Sequence, residues 1–428
     1  PVQIVHSPWK VNLPVIKLED VPEIERQSEV DRIIAEECDH TFDITQLPLI
    51  RWTVLQLSER EHLFVQVEHH FVHDGWSLAL LLSEIEAIYK AYSTGRPSPL
   101  PELPVQYADF AVWQQELMQG ESLEDRLAYW TKKLADIPPL LDLPADRPRP
   151  SVQSYKGAVH AVELDTPLSR SLIEFSHREG VTLFMTMLTA FEALLYRYTW
   201  REDMVVGTSV ANRPLREVEY LIGMIVNTLV LRTDMSGDPS YRELLNRVRD
   251  LMFEVYRHQD LPFEKLVERL QPQRVMNYNP LYQVMFNFHD AEIPDLEFPG
   301  LKGTLEYKSN RSAKFDLDVL IIPRFAQSAG RKTESGNEVL SMEWEYNTDL
   351  FDAATIERMT RHYIASLKSL VANPEQRLSE LSLLSQAEEH QILNEWNNTQ
   401  RSCPQDMCIH HLFEEQVRES PDAIAIEQ

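Results

Sequence analysis

Cysteine is nearly missing from this chain: Cys38, Cys403 and Cys408 are the only three among 428 residues. Three thiols cannot build a disulfide framework, and so few of them fit a reducing compartment. Long apolar runs are missing as well. None reaches the roughly 18 residues of a membrane span, and no signal peptide is read at the start. Basic charge is in short supply, with 41 Lys and Arg against 67 Asp and Glu and a net charge of −26. That balance argues against nucleic acid or an anionic membrane as partner, and an acidic carrier or a phosphate would need a local basic patch. Internal repeats and low-complexity tracts are absent too. What is there, 43% hydrophobic and 25% charged residues, is globular in composition. A chain of 428 residues exceeds what one hydrophobic core usually supports, so two lobes or domains are expected, in the cytoplasm.

The richest stretch is Val67-Glu68-His69-His70-Phe71-Val72-His73-Asp74-Gly75-Trp76-Ser77. Upstream, Leu63, Val65, Val67 and His69 share one face of a period-two strand, and Phe64, Gln66, Glu68 and His70 share the other. The first face is apolar and reads as core. The second is mostly polar and suits a cleft wall, which makes His70 the candidate for chemistry and His69 the candidate for structure. After Gly75 the period changes: Leu78, Leu81, Leu82, Ile85, Ile88, Tyr89 and Tyr92 recur at helical spacing, so a helix is expected from about Ser77. A histidine of near-neutral pKa at such a junction suits general base or hydrogen-bond catalysis. The plainer reading, a satisfied core or surface histidine, stands beside it. Metal binding fits poorly. His69 and His73, or His70 and Asp74, are four apart, but across a turn and without a third ligand. Cys403, Cys408, His410 and His411 are spaced too compactly to wrap one tetrahedral ion, and an exposed linker explains them better.

Along the rest of the chain the pattern reads as two lobes and a tail: residues 1–150, residues 151–385, a polar linker over 386–409 and a new start at 410–428. The first lobe should carry the active-site strand, its helix and a second helical stretch from Tyr107 to Leu134. The proline-rich run from Ile137 to Pro150 cannot be a regular helix and marks the connection. In the second lobe a helix is expected over Phe184–Tyr198. Strands are expected at Met204–Val210, Ile225–Leu231, Asp316–Ile322 and Val339–Tyr346, with a polar loop over Ala326–Glu338. Tyr107, Phe110 and Trp113 form an aromatic stripe that reads as packing. Asn227 within an apolar strand needs buried partners, either as structural glue or as a donor lining a channel. Pro262 opening a helix with Glu264 in its first turn is explained by capping.

His69, His70, Asp74 and Gly75 resemble the HHxxxDG signature of condensation domains of nonribosomal peptide synthetases. The resemblance continues in the family's order. It runs through Tyr107–Trp113, Val206–Pro214, Ile222–Thr228, His258–Glu264 and Asn279-Pro280-Leu281. One departure stands out. Family members open with a strand, a helix and an arginine–histidine–glutamate motif, whereas Pro1–Val5 already looks like the segment after that motif, so the first part of the N-terminal lobe is expected to be absent.

The resemblance implies an α/β fold of two chloramphenicol-acetyltransferase-like lobes set in a V, with the active site in the tunnel between them. It implies that an aminoacyl thioester on the phosphopantetheine arm of a downstream peptidyl carrier attacks an acyl thioester, forming an amide. His70 would accept or orient the amine proton, and the Gly75 amide would stabilise the oxyanion. Asp74 would be a structural anchor paired with an arginine of the other lobe, for which Arg213 is the candidate. No cofactor or metal would be bound by the domain itself. The tail from His410 to Ile426 looks like the opening of an adenylation domain in the same chain. Aspartates would replace the histidine pair in a heterocyclisation domain, and an epimerisation domain is not normally followed by such a tail. Glu68, His73 and Ser312–Val319 resemble starter domains, which attach a fatty acyl group, from an acyl-coenzyme A or an acyl carrier, to the first amino acid. An ordinary elongation domain with a peptidyl-carrier donor and an inactive docking module are the alternatives.

Overall fold

The computed structural model describes residues 4–7, 9–273, 275–291, 293, 296–324, 339–400 and 408–424. They form two compact units, Pro1–Ser382 and Leu383–Gln428.

The first unit holds two principal sheets. The smaller has β1 (Val15–Lys17), β2 (Ile50–Gln56) and β3 (His62–Glu68) in that order, β1 parallel to β2 and β3 antiparallel to it. A parallel pair needs a crossover, and α1 (Glu23–Asp39) supplies it, laying Val30 and Ile33 against Leu18 and Leu55. The expected apolar face of β3 is only partly core. Val65 packs against that cluster, but Leu63 is 37% exposed. The strand also ends at Glu68, so His69 and His70 stand in the turn beyond it rather than on the strand. Next comes α2 (Gly75–Tyr92), which begins two residues earlier than the periodicity suggests because the Asp74 carboxylate accepts the Ser77 N–H and caps it. The single stretch expected over Tyr107–Leu134 is two helices, α3 (Tyr107–Leu117) and α4 (Gly120–Lys133). The chain turns between them, and Gly120 takes a φ of +59°, which a glycine adopts without strain.

The run 137–150 contains no helix, and it is tied down by Arg149, whose Nη1 donates to Asp316 Oδ1 at 2.7 Å. Beyond it come β4 (Gly157–Glu163), α5 (Thr166–Glu179), α6 (Leu183–Thr199), β5 (Asp203–Val210), β6 (Asn227–Asp234), α7 (Tyr241–Tyr256) and α8 (Phe263–Leu270). Then follow β7 (Val284–Phe288), a hairpin of β8 (Glu297–Phe298) and β9 (Leu301–Lys302), β10 (Leu317–Pro323), β11 (Leu340–Asn347) and α9 (Ala353–Ala372). The larger sheet runs β4-β11-β10-β7-β5-β6 and is mixed. Its core is dense. Every residue of α6 from Met185 to Tyr196 is buried, and Phe191 stacks on Phe286 at 5.1 Å with Trp344 and Tyr363 edge-on. Along β10, Leu317, Val319 and Ile321 point into that core, while Asp318 and Leu320 take the other face and are only half-buried.

The strand expected from Ile225 starts at Asn227. The N–H groups of Ile225 and Val226 donate to the Asp74 carboxylate at 3.0 and 3.1 Å, so ladder pairing begins one residue later, Asn227 against Val210. The second unit contains α10 (Gln386–His390), continued helically to Glu395, and α11 (Ile409–Glu419), with no buried residue in any of these segments. Cys403, the whole loop expected over Ala326–Glu338, and Ala425 and Ile426 lie outside the described residues; Cys38 and Cys408 are free thiols. Among the described residues no His, Cys, Asp or Glu cluster could hold a metal ion, and no single helix is long and apolar enough to cross a membrane.

Candidate active site

The turn between β3 and α2 is built from its own side chains. The His69 N–H donates to Leu49 O at 2.9 Å, and the His69 ring lies edge-on to Phe42 and Phe71. Its Nδ1 accepts the Phe71 N–H at 3.2 Å. His69 is therefore committed to shaping the turn. His70 Nδ1 sits 2.9 Å from the carbonyl oxygen of His73. A carbonyl only accepts, so Nδ1 carries the proton, and in the neutral ring Nε2 keeps its lone pair. His73 Nδ1 in turn meets Glu68 Oε1 at 3.1 Å. Burial outweighs that contact. It holds the His73 imidazole below its ordinary pKa, helped by the field of His70, and raises the Glu68 carboxyl, so the pair is biased toward its uncharged forms.

Asp74 joins the turn to the larger sheet. It is 2% exposed and accepts from the Ser77 N–H and hydroxyl, from Arg213 Nη2 at 3.0 Å, and from the two N–H groups that precede β6. The Arg213 side chain is 2% exposed. Burial draws its pKa down and the charge of Asp74 opposes that. Neither ion has water to fall back on, so each depends on the other. Further bonds fasten the same loop. Trp76 Nε1 donates to Glu219 O at 2.9 Å, the Ser77 hydroxyl bonds Gly223 O at 3.0 Å, and Tyr107 OH donates to Met224 O at 2.9 Å. The aromatic stripe of α3 is packing, as Phe110, Tyr107 and Trp113 lie against Val218, Leu221 and Ile225.

His70, Asp74, Gly75 and Arg213 line one cavity of about 860 Å³. Asn227 does not line it. The Asn227 amide donates to Gln259 O and Leu261 O at 2.8 and 2.7 Å and accepts the Phe263 N–H, clamping the chain that leads into α8. Gly75 is the first residue of α2, and no described residue accepts its N–H. A lone pair on a histidine and a free donor at a helix N-terminus, on two residues that line one cavity, can take up a proton and hold a developing anionic oxygen.

Two parts of the cavity wall are not singled out as site residues in the sequence, although Ser209 and Asp318 lie within the stretches Val206–Pro214 and Ser312–Val319. His289, just past the end of β7, lines the cavity beside Gly75. Its only signal was a titratable residue closing an apolar strand. Ser209, also lining the cavity, donates through N–H and hydroxyl to Asn287 Oδ1, and Asn287 donates to Asp318 at 2.8 Å. Burial pushes the Asp318 carboxyl up to about 6 and that of its cross-strand neighbour Glu345 up to about 7, with Asp318 adding to the rise at Glu345.

Comparison with known proteins follows the same outline. The family model described as "Condensation domain" matches residues 1–393. A linear gramicidin synthase chain of Brevibacillus parabrevis is 44% identical over 428 residues, which is 100% of this chain and 8% of that protein. The chain thus spans a small part of the curated relative it matches. Among solved structures, the X-domain from teicoplanin biosynthesis superposes with a TM-score of 0.78 at 28% identity, covering 89% of this chain and 83% of that one. The starter condensation domain of rhizomide synthetase gives 0.72 at 21% identity, covering 87% and 80%, and shows likeness of fold alone. The fold is α/β with two chloramphenicol-acetyltransferase-like lobes.

Proposed function

The chain belongs to the condensation-domain family, and on that footing we propose that it joins an acyl thioester to the amino group of a carrier-bound aminoacyl thioester, forming an amide and releasing a thiol. The observation that carries this reading is that His70, with Nε2 free, and Gly75, with its N–H free, line one cavity braced by Asp74 and Arg213. The amine nitrogen attacks the thioester carbon, the C–N bond forms, and the carbonyl electron pair moves onto oxygen, where the Gly75 N–H receives it. His70 Nε2 takes the proton from the amine nitrogen. The oxyanion collapses, the C–S bond breaks, and the leaving thiolate regains that proton. Thioesters are already activated, so holding both reactants in the cavity supplies much of the acceleration. The phosphopantetheine arm of a downstream carrier brings the amine as substrate, and residues 410–428 open an adenylation domain in the same chain.

Two donors are supported by different observations. Identity of 44% over the whole chain to a linear gramicidin synthase chain favours a carrier-bound aminoacyl or peptidyl donor. Phe184, Met252, Phe288, Ile293, Leu320 and Ile322 give the cavity an apolar wall, which favours a fatty acyl donor such as an acyl-coenzyme A. The test is mass spectrometry of an aminoacyl-loaded downstream carrier offered both donors in competition. Amide from the aminoacyl donor alone supports elongation, and amide from the acyl-coenzyme A alone supports lipoinitiation. No amide from either, with His70→Ala indistinguishable from wild type, refutes the reading.

A further inference from the structure

We infer that His289 determines how large a substituent can sit beside the forming amide bond, an inference that rests on the acyl-transfer reading of the cavity. His289 closes β7 and is fixed there by its N–H, which donates to Ile321 O on β10 at 2.9 Å. Its imidazole edge stands over the first residue of α2: a Cβ placed on Gly75 would lie 3.3 Å from His289 Cε1 and 3.4 Å from Nε2. The ring therefore fills the space that a side chain at position 75 would need, and it shares the cavity with His70.

His289 is an exposed residue, and it lines the cavity. Protein atoms packed about the imidazole nevertheless hold it below its ordinary pKa; the field of His70 adds to the shift, and Asp290 and Asp74 oppose it. At neutral pH the ring is an uncharged plate one residue beyond a strand end, where the bond from its N–H to β10 fixes its backbone. The reacting amine and carbonyl must meet within reach of His70 Nε2 and the Gly75 N–H. Each reacting atom has its α-carbon one bond away, so the group on that carbon projects toward the same wall. The wall limits an α-substituent, and the two reactants are the two sources from which that substituent can come.

The test compares wild type, His289→Ala and His289→Phe on two panels. One offers glycyl, alanyl, leucyl and phenylalanyl pantetheine thioesters as acceptors to one donor; the other offers the matching N-acylated donors to glycyl acceptor. Values of kcat and KM are read separately, and calorimetry gives affinities for unreactive amide analogues of the same series. Opening the wall with His289→Ala should favour leucyl and phenylalanyl over glycyl substrates by about ten-fold or more in kcat/KM and in affinity, the scale on which a pocket senses side-chain size. His289→Phe, which keeps a plate in place, should preserve the wild-type ranking. The panel that moves identifies which reactant carries the substituent. An unchanged ranking in His289→Ala on both panels overturns the inference, as does an equal shift in His289→Phe, which would assign the effect to the ring nitrogens. Wild type that binds the analogues yet forms no amide defeats the acyl-transfer reading, and the affinity ranking still decides His289. Wild type that binds none of them overturns both.

Discussion

Two helices of nearly equal length show how differently the two sheets are held. α6, with 17 residues, buries every one from Met185 to Tyr196, while α2, with 18, buries only Ser77 and Ala91. The cluster beneath the smaller sheet consists of Leu18, Val30, Ile33 and Leu55, with a few half-buried neighbours. Yet the turn that carries His70 belongs to this sparsely packed side. Hydrophobic burial is strong but undirected, and it cannot set a side chain's angle when so little of it is present. The reactive turn takes its order from polar bonds, some within the turn, such as that of His70 to the His73 carbonyl, and others toward the larger sheet, converging on Asp74.

The largest expected effect separates chemistry from that architecture. His70→Ala should lower amide formation by about 10²–10⁴-fold, the usual contribution of general base catalysis, with an unchanged melting temperature, measured by single-turnover kinetics beside calorimetry. A well-folded variant with full turnover would remove His70 from the mechanism. Breaking the latch should cost stability. Asp74→Ala and Arg213→Ala are each expected to lose about 3–5 kcal/mol, as when one partner of a buried ion pair is deleted, and a double-mutant cycle in urea should show strong coupling. Two single variants that unfold like wild type would mean the smaller sheet is held by something else.

Within the larger sheet, Phe191→Ala should cost about 3–5 kcal/mol through the cavity it leaves among Phe286, Trp344 and Tyr363. The same fully buried helix carries Glu192, whose carboxyl burial pushes up to about 8 from the ordinary 4.5, against a hydrogen bond from Thr233. Between pH 4.5 and 8 the unfolded chain releases this proton and the folded chain keeps it, so stability falls as pH rises through that window. Glu192→Gln should therefore gain little at pH 5 and on the order of 1–3 kcal/mol at pH 8, seen as a flatter pH profile of the unfolding midpoint. The smallest effect is expected on β3. Phe64, 56% exposed, should tolerate alanine within about 0.5 kcal/mol. A loss as large as that of Phe191→Ala would dissolve the contrast between the sheets.

Much of the larger sheet and of the helix packed on it was legible because apolar stretches such as Met204–Val210 and Phe184–Tyr198 carry a clear period. The turn was legible by its residues and less so by its geometry. His70 was reached as a member of the polar strand face, although the strand stops at Glu68 and a bond from His70 to the His73 carbonyl orients the ring. The start of β6 was missed because the acceptor that captures Ile225 and Val226 lies 151 and 152 residues away, and a backbone N–H has no side-chain signature. His289 was missed for a related reason. Its position over Gly75 depends on how the end of β7 and the start of α2 meet in the fold, and one histidine has no periodicity to betray that.

The loop from Arg213 to Val226 has a consequence for recombination between related chains. It bonds to α2 at Trp76 and Ser77, and at Gly223 it passes so close to α3 that an added Cβ would lie 2.4 Å from the ring of Tyr107. The loop and the two helices are therefore one inheritance unit although Ser77 and Gly223 are 146 positions apart. A chimaera joined in the proline-rich run near residue 145 would look like a clean exchange of halves, yet it would pair one parent's helices with another parent's loop. Grafts that carry residues 213–226 along with residues 69–117 should recover function where such half-for-half exchanges fail.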